Sequence, residues 1–407
     1  SMTNPSEQPS TTNLGPLAGI RVLELGSLIA GPFASRMLGE FGAEVIKVET
    51  PGSGDPIRKW RVLHEGNSLW WAVQARNKKS ITLNLKAEEG LAVLRKLIES
   101  ADMLVENFRP GQLEKWGLSP EQLQAMNPGL IVVRLSGYGQ TGPYKDRPGF
   151  GAIAESIGGM RFLSGDTDRP PVRVGISIGD SLAGLHAVIG ALMALQHRHK
   201  TGKGQVVDVA LYESVFNMME SLLPEYDFAG VVRKRSGASL PGIVPSNTYT
   251  CGCGGFIVIG GNGDAIFKRL MVAIGRSDFS ENPDMASNDG RVRHTELIDS
   301  TIAQWCQERS IDEALEVLEK ADVPVSKIYS IEDIVRDPQF AARGMIEEHA
   351  FGDDRTLKVP GIVPKLSDTP GQTRWLGPKL GEHNAQVLKG LGYSAEEIQR
   401  IVEDGVI

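Results

Sequence analysis

Cysteine is nearly absent from the sequence: Cys251, Cys253 and Cys306 are the three in 407 residues. So odd and sparse a set does not staple a secreted scaffold, and it fits a reducing cytoplasm. Cys251-Gly252-Cys253-Gly254-Gly255 has no matching Cys or His pair after it, so it reads as a hairpin turn between NTYT and FIVIGG rather than a metal or redox site. A surplus of positive charge is also lacking, with 43 Lys and Arg against 50 Asp and Glu and a formal net charge of −7. That balance excludes a surface tracking a nucleic-acid backbone, while leaving room for a local basic pocket around a small phosphorylated ligand. No apolar run reaches the roughly 20 residues that span a bilayer, and no charged, apolar and small-residue leader opens the chain. The expectation is a cytoplasmic protein whose partners are small molecules, without nucleic acid or membrane.

What is present suits a soluble enzyme: 41% hydrophobic and 23% charged residues, enough to bury a sizeable core. From Ile20, β-branched runs alternate with helical spacing. IRVLEL reads as a strand, PFASRMLGEF as a helix, EVIKVE as a strand, AEEGLAVLRKLIESA as a helix, and DMLVENF and LIVVRLSG as strands. Ser119-Pro120-Glu121-Gln122 is a capping box that starts a short helix. The pattern predicts an α/β protein with a doubly wound body over residues 14–211, preceded by a disordered polar arm over 1–13. A linker helix is expected over 212–227, then a basic stretch, a hairpin and three helices that make a smaller domain at 228–328. Ser310 with Glu313 and Ser394 with Glu397 are further capping boxes, with the extended TLKVPGIVPKL between them.

Two places invite chemistry. Gly26-Ser27-Leu28-Ile29-Ala30-Gly31-Pro32 follows the first strand and opens a helix, where free N–H groups favour phosphate, and Glu49 ends the next strand, where an acid suits a ribose hydroxyl. The spacing is not G-x-G-x-x-G, which weakens a dinucleotide-dependent dehydrogenase. Asp180 stands where the extended segment before GDSLAGLHAVIGALMALQHRHK meets a long apolar helix. Its spacing suits an N-cap, and a carboxylate kept ionised among N–H donors suits a nucleophile equally; spacing alone leaves both open.

The order of motifs carries more than any one of them. VLELGSLIAGPFASRMLGEFGAEVIKVETPGSGD is followed by RNKKSITLNLK, VENFRPGQLEKWGL, GYGQTGP, GDSLAGLHA and HKTGKGQVVDVAL. This series resembles the class III coenzyme A transferases, the formyl-CoA transferase and carnitine CoA-transferase family, from about Leu17 to LGEHNAQVL near residue 388. The resemblance implies a Rossmann-like large domain completed by the returning linker and C-terminal helices of 329–407, a smaller α+β domain, and a homodimer of interlocked rings. It implies that Asp180 forms an acyl anhydride and then an aspartyl-CoA thioester as coenzyme A passes between carboxylic acids. Coenzyme A contacts would fall on Ile29, Ala30, Leu83, Asn84, Leu85, Lys86, Asn107, Phe108 and Arg109, with Lys115 suited to a phosphate. Gly149 and Phe150 would lie along the pantetheine arm and thioester. Acyl-CoA and small carboxylic acids are the implied substrates, with no tightly bound cofactor and no metal.

Departures from the pattern bear on substrate. Ile29 stands where formyl-CoA transferase carries glutamine, and VVRKRSGASLPGIVP has no run of glycines, so an oxalate and formate specialist is not expected. The chain resembles more closely the relatives that handle dicarboxylic acids such as succinate, glutarate, mesaconate or citramalate. Arg161, Arg169 or Arg173 is available for a distal carboxylate, and Gly151 replaces the aspartate of many relatives. The alternatives are an α-methylacyl-CoA racemase-like enzyme, which needs a second base where Phe150 stands, and a non-catalytic CoA-binding protein, against which the retained Asp180 argues.

Overall fold

The computed structural model describes residues 15–407; the arm expected over 1–13 lies outside the described residues. Six parallel strands form the main sheet: β1 (Arg21–Glu24), β2 (Glu44–Glu49), β3 (Lys78–Thr82), β4 (Met103–Glu106), β5 (Ile131–Ser136) and β6 (Val206–Ala210). Their order is β3-β2-β1-β4-β5-β6, the doubly wound Rossmann-like arrangement, so the chain reverses direction across the sheet between β1 and β4. The crevice beyond the carboxyl ends of those two strands is where such sheets bind ligands.

Pleat alternation explains why the strands read as continuous apolar runs. Val22, Val45, Val105 and Val133 point to one face and Leu23, Ile46, Leu104 and Val132 to the other, and both faces are covered. Helices α1 (Ala30–Glu40), α2 (Leu69–Gln74), α3 (Glu88–Glu99), α4 (Gln112–Lys115), α5 (Pro120–Met126), α6 (Gly151–Ile157), α7 (Ile178–Thr201), α8 (Leu211–Phe216) and α9 (Leu222–Ala229) follow in order. Val93, Leu94, Leu97 and Ile98 of α3 cover one face; Ala183, Ala187, Ala191 and Ala194 of α7 cover the other. The expected linker helix is broken: Asn217–Ser221 separates α8 from α9, with Glu220 at φ 51°.

By length and mean hydropathy α7 is long and apolar enough to cross a bilayer, a test that the core helix of a folded domain also passes, whereas no such run was expected from the sequence. Here its small-residue face packs on α1 and on β5 and β6, where a Cβ on Gly184 would meet Phe33 Cδ1 at 2.7 Å. The sequence reading missed it because short Gly and Ala residues dilute the run.

The chain forms two compact units. The first takes residues up to Met160 with Val174–Ala229 and Gly344–Ile407; the second takes Arg161–Arg173 and Gly230–Arg343. The segment 161–173 thus clusters away from the sheet that precedes it in sequence, because Arg235 donates to the Phe162 carbonyl at 2.8 Å and the Gly237 N–H to the Gly165 carbonyl at 3.1 Å. The second unit holds an antiparallel sheet β9-β8-β7 of β7 (Ser246–Thr250), β8 (Phe256–Gly260) and β9 (Val325–Lys327). The unit holds five helices rather than three: α10 (Asp264–Ala273), α11 (Ser277–Glu281), α12 (Asn288–Arg293), α13 (Thr295–Gln307) and α14 (Ile311–Lys320), of which α13 and α14 pack on the sheet. The cysteine-glycine stretch closes the β7–β8 hairpin, with the Cys251 N–H donating to the Gly255 carbonyl.

After α15 (Ile331–Arg336) and α16 (Pro338–Ala342), the hairpin of β10 (Ile346–Phe351) and β11 (Arg355–Pro360) begins the return to the first unit. The extended stretch that follows docks beside β3: Asn77 N–H donates to the Trp375 carbonyl, Trp375 Nε1 to the Lys78 carbonyl, and Thr82 N–H to Asn384 Oδ1. Helices α17 (Asn384–Gly390) and α18 (Ala395–Glu403) complete the unit, and the Val406 carbonyl accepts from Asn84.

Candidate active site

The loop after β1 is tied at almost every polar backbone atom. Asn107, just beyond β4, accepts the Ser27 N–H at 3.0 Å and donates to the Ser27 carbonyl at 2.8 Å, clasping the crevice at the sheet's reversal point. Leu28 has φ 66°, a left-handed conformation costing about 1 kcal/mol for a residue with a side chain. Asp55 holds it there by accepting its N–H on both oxygens. Gln74 Nε2 donates to the Leu28 and Ile29 carbonyls.

Beneath the loop lies a buried set of charges. Lys47 pairs with Glu24 and Asp55 and donates to the Gly26 carbonyl at 2.8 Å; Lys78 pairs with Glu24 and donates to the Pro32 carbonyl at 2.7 Å. Burial disfavours the Lys47 charge, but Glu24, Asp55 and Glu49 outweigh it and raise its pKa. Burial pushes Lys78 down to about 8 against the pull of Glu24. Glu49, expected to be available to a ribose, is already engaged: Arg58 grips both its oxygens at 2.8 Å and Ser80 donates at 2.6 Å.

Two adjoining cavities open along these elements. The outer one, about 680 Å³, is lined by Leu83, Asn84, Leu85 and Lys86 and reaches Gly405 near the C-terminus. The inner one, about 560 Å³, is lined by Ile29, Ala30, Asn107, Arg109, Gly149, Phe150 and Asp180. Ser27 and Phe108 line both, so together they form one elongated groove. The residues expected to touch coenzyme A line this groove except Lys115, which ends the short helix α4 and lines neither cavity; Arg161, Arg169 and Arg173 line neither cavity as well.

Asp180 is not the N-cap that its spacing suggested. Ser177 is the N-cap of α7 and makes no side-chain capping bond, so Asp180 is the third residue of the first turn. The signal was present in Ser177-Ile178-Gly179-Asp180, a serine followed three residues later by an acid. Burial, and then the charge of Glu155, raise the Asp180 carboxyl to about 6. A Cβ on Gly151 would lie 2.3 Å from Asp180 Oδ2, so the missing side chain there is what admits this carboxylate position. The backbones of Gly137 and Gly149 also approach closely: a Cβ on Gly137 would lie 2.9 Å from Gly149 Cα, which brings the 149–151 loop onto the end of β5.

Residues 17–384 match the family model for CoA-transferase family III. The chain belongs to that family. It is 47% identical over 394 residues to the succinyl-CoA–D-citramalate CoA-transferase of Chloroflexus aurantiacus, covering 96% of this chain and 98% of the relative. It is 35% identical over 385 residues to the succinate–glutarate CoA-transferase of Agrobacterium fabrum, covering 92% and 96%. The crystal structure of a CaiB/BaiF family protein from Brucella suis, 34% identical, matches with a TM-score of 0.83 over 93% of this chain and 99% of that one. The protein is therefore a family III CoA-transferase, an enzyme whose substrates include acyl-CoA.

Several residues lining the transferase groove were not singled out from the sequence. Trp60, Lys145 and Arg147 line the inner cavity beside Asp180, with the Arg147 guanidinium 3.6 Å from the centre of the Tyr144 ring. No pattern marks them: Lys145 and Arg147 sit among exposed loop residues whose meaning depends on where the loop folds. Arg161, Arg169 and Arg173, read as candidates for a distal carboxylate, belong to the second unit.

Proposed function

We propose that this transferase moves coenzyme A between two carboxylic acids through covalent forms of Asp180, and that at least one of the acids carries a second carboxylate. The observation that carries this reading is Asp180 itself. Among the described residues it is the one carboxyl group lining the inner cavity, and it is largely buried, while Lys86 lines the adjoining outer cavity.

The Asp180 carboxylate attacks the donor thioester carbon and expels coenzyme A as the thiolate, leaving a mixed anhydride. The thiolate attacks the aspartyl carbonyl and releases the donor acid, giving an aspartyl-CoA thioester. The acceptor carboxylate then displaces the thiolate, and the thiolate attacks the acceptor carbonyl and frees Asp180. The activation of the thioester is conserved throughout, so the chemistry needs acyl-CoA as substrate and no resident cofactor.

A second carboxylate on the substrate matches the cationic side chains of Arg109, Lys145 and Arg147 around the inner cavity. The names of the relatives, transferases for citramalate and glutarate, support the same class. A racemase would need a second base, and Phe150 stands beside Asp180 with no histidine lining the cavity among the described residues.

A homodimer belongs to this reading. Leu185, Ile189, Leu192 and Met193 on α7, with Leu223, Tyr226 and Phe228 on α9, are exposed apolar groups of the kind a second copy covers. A reducing, cytoplasmic setting belongs to it as well, supported by three unpaired thiols. Incubation with succinyl-CoA and other candidate donors, followed by borohydride or hydroxylamine trapping and peptide mapping, should mark Asp180 alone. Labelling elsewhere, or coenzyme A binding with no transfer, would defeat the proposal.

A further inference from the structure

The end of α18 is built by its sequence to reach the groove. Gly405 adopts φ 72°, the left-handed region that a residue without Cβ enters freely. Its N–H donates to the Val402 carbonyl at 3.1 Å, and the Val406 N–H donates to the Ile401 carbonyl at 3.0 Å. Val406 and Ile401 are both buried, the apolar contact that accompanies this kind of helix end. The turn places the Val406 carbonyl against the Asn84 N–H, 2.7 Å away, and Ile407 packs on the apolar cluster that contains Leu83.

Asn84 is thereby held on three sides. Its N–H goes to Val406, its carbonyl accepts the Ala87 N–H at 3.1 Å, and its Oδ1 accepts the Lys86 N–H at 3.1 Å. A Cβ on Gly90 would lie 2.0 Å from the Asn84 carbonyl oxygen, so that oxygen keeps its place only because α3 carries glycine there. Two of the restraints are local to the approach to α3; the third comes from the far end of the fold's second pass. Leu83, Asn84, Leu85 and Lys86 line the outer cavity, and Gly405 lines it with them.

We propose that Gly405-Val406-Ile407 is a positioning element of the acyl-CoA site, holding the 83–86 loop in the shape that receives the nucleotide end of coenzyme A. The inference rests on the reading above: with the thioester at Asp180 in the inner cavity, the nucleotide end extends into the outer one. A loop already fixed in the free enzyme loses little conformational freedom when the ligand binds, so the restraint adds to affinity. The nucleotide end undergoes no bond change, and its contacts are the same in the bound substrate and in the transition state. Such contacts set KM and leave kcat alone. Helix α18 is also tied to α3 by Arg400 and Glu89 at 2.7 Å, but both side chains are exposed and the pair is screened by solvent. The backbone bond to Asn84 carries the restraint.

The test is Val406→Gly, which frees the turn without adding charge or altering any residue that lines the groove. KM for succinyl-CoA should rise about three- to tenfold, the worth of one hydrogen bond, with kcat unchanged. KM for succinyl-pantetheine, the same thioester without its nucleotide, should not move, whereas a general loosening of the fold would raise both. Unchanged KM for both thioesters, or an equal rise in both, would overturn the proposal and leave the acyl-CoA reading intact. Equal KM for the two thioesters in the wild type would overturn the placement of the nucleotide and the proposal with it. Should the variant not fold, hydrogen–deuterium exchange of the wild type decides: saturating coenzyme A should slow exchange of the Val406 amide together with that of Asn84. A Val406 rate unmoved by coenzyme A would overturn the proposal.

Discussion

Asp55 accepts the Leu28 N–H on both carboxylate oxygens, at 3.0 and 3.2 Å, and so holds a leucine in a left-handed turn at the mouth of the groove. The same carboxylate neutralises the buried Lys47. One side chain thus serves the loop's geometry and the charge beneath it. Asp55→Ala is expected to destabilise the protein by about 1–3 kcal/mol, since it removes one of the two carboxylates paired with the buried Lys47 and leaves Glu24 as the other. It should also raise the KM for acyl-CoA as the loop relaxes. Asp55→Asn, which keeps an acceptor for Leu28, should lose stability with a much smaller change in KM. Urea denaturation and steady-state kinetics on both variants check this, and an unchanged KM in the alanine variant would show that the loop does not depend on Asp55.

Asp180→Asn should abolish transfer and stabilise the fold at the same time. The carboxyl has a folded-state value of about 6 against an ordinary 3.8, so the folded state holds its proton more tightly than the unfolded state. The ionised wild type therefore carries a penalty that grows as pH rises through this window and is complete above it. At two units the penalty is about 3 kcal/mol. Thermal melts should show the variant more stable at neutral pH, with the difference fading as pH falls to about 4. Equal stability at neutral pH would mean that Asp180 sits in a more solvated environment.

Lys86 and Lys115 were both candidates for the phosphates of coenzyme A, and the structure separates them. Lys86 lines the outer cavity; Lys115 lines neither. Lys86→Ala is expected to raise the KM for acyl-CoA about five- to a hundredfold with kcat nearly unchanged, as the loss of a charge-assisted contact requires. Lys115→Ala should have the smaller effect. The reverse ranking would place the nucleotide end of the ligand on the α4 side of the groove.

The three thiols differ enough to be told apart chemically. Cys253 is exposed and its pKa is lowered by the N–H groups of Gly255 and Ile311, while burial raises Cys251 and pushes Cys306 up to about 12. Brief iodoacetamide treatment of the native protein should label Cys253 alone, as read by mass spectrometry of its peptides. Rapid labelling of Cys306 would indicate local opening of the second unit.

Much of this was legible in the sequence because it depends on neighbours along the chain. Strand and helix periodicity marked EVIKVE as β2 over the span the structure shows, and Ser119 and Gln122 form the capping box their spacing announced. The run of motifs marked the family and singled out Asp180 with the loops of Ile29, Leu83 and Asn107, which the fold brings to one groove. What the sequence left undecided depends on distance across the fold. Whether Asp180 is the cap or a residue of the first turn depends on the helix starting three residues earlier, at Ser177, with the Glu155 side chain of another helix accepting the Gly179 N–H. Whether Lys115 or Lys145 faces the ligand depends on which way a short helix and an exposed loop are turned, and composition is silent on that. Local spacing determines which elements form and where they start. The electrostatics of Asp180 come from burial and from charges distant in the chain, and only the closed tertiary structure sets those.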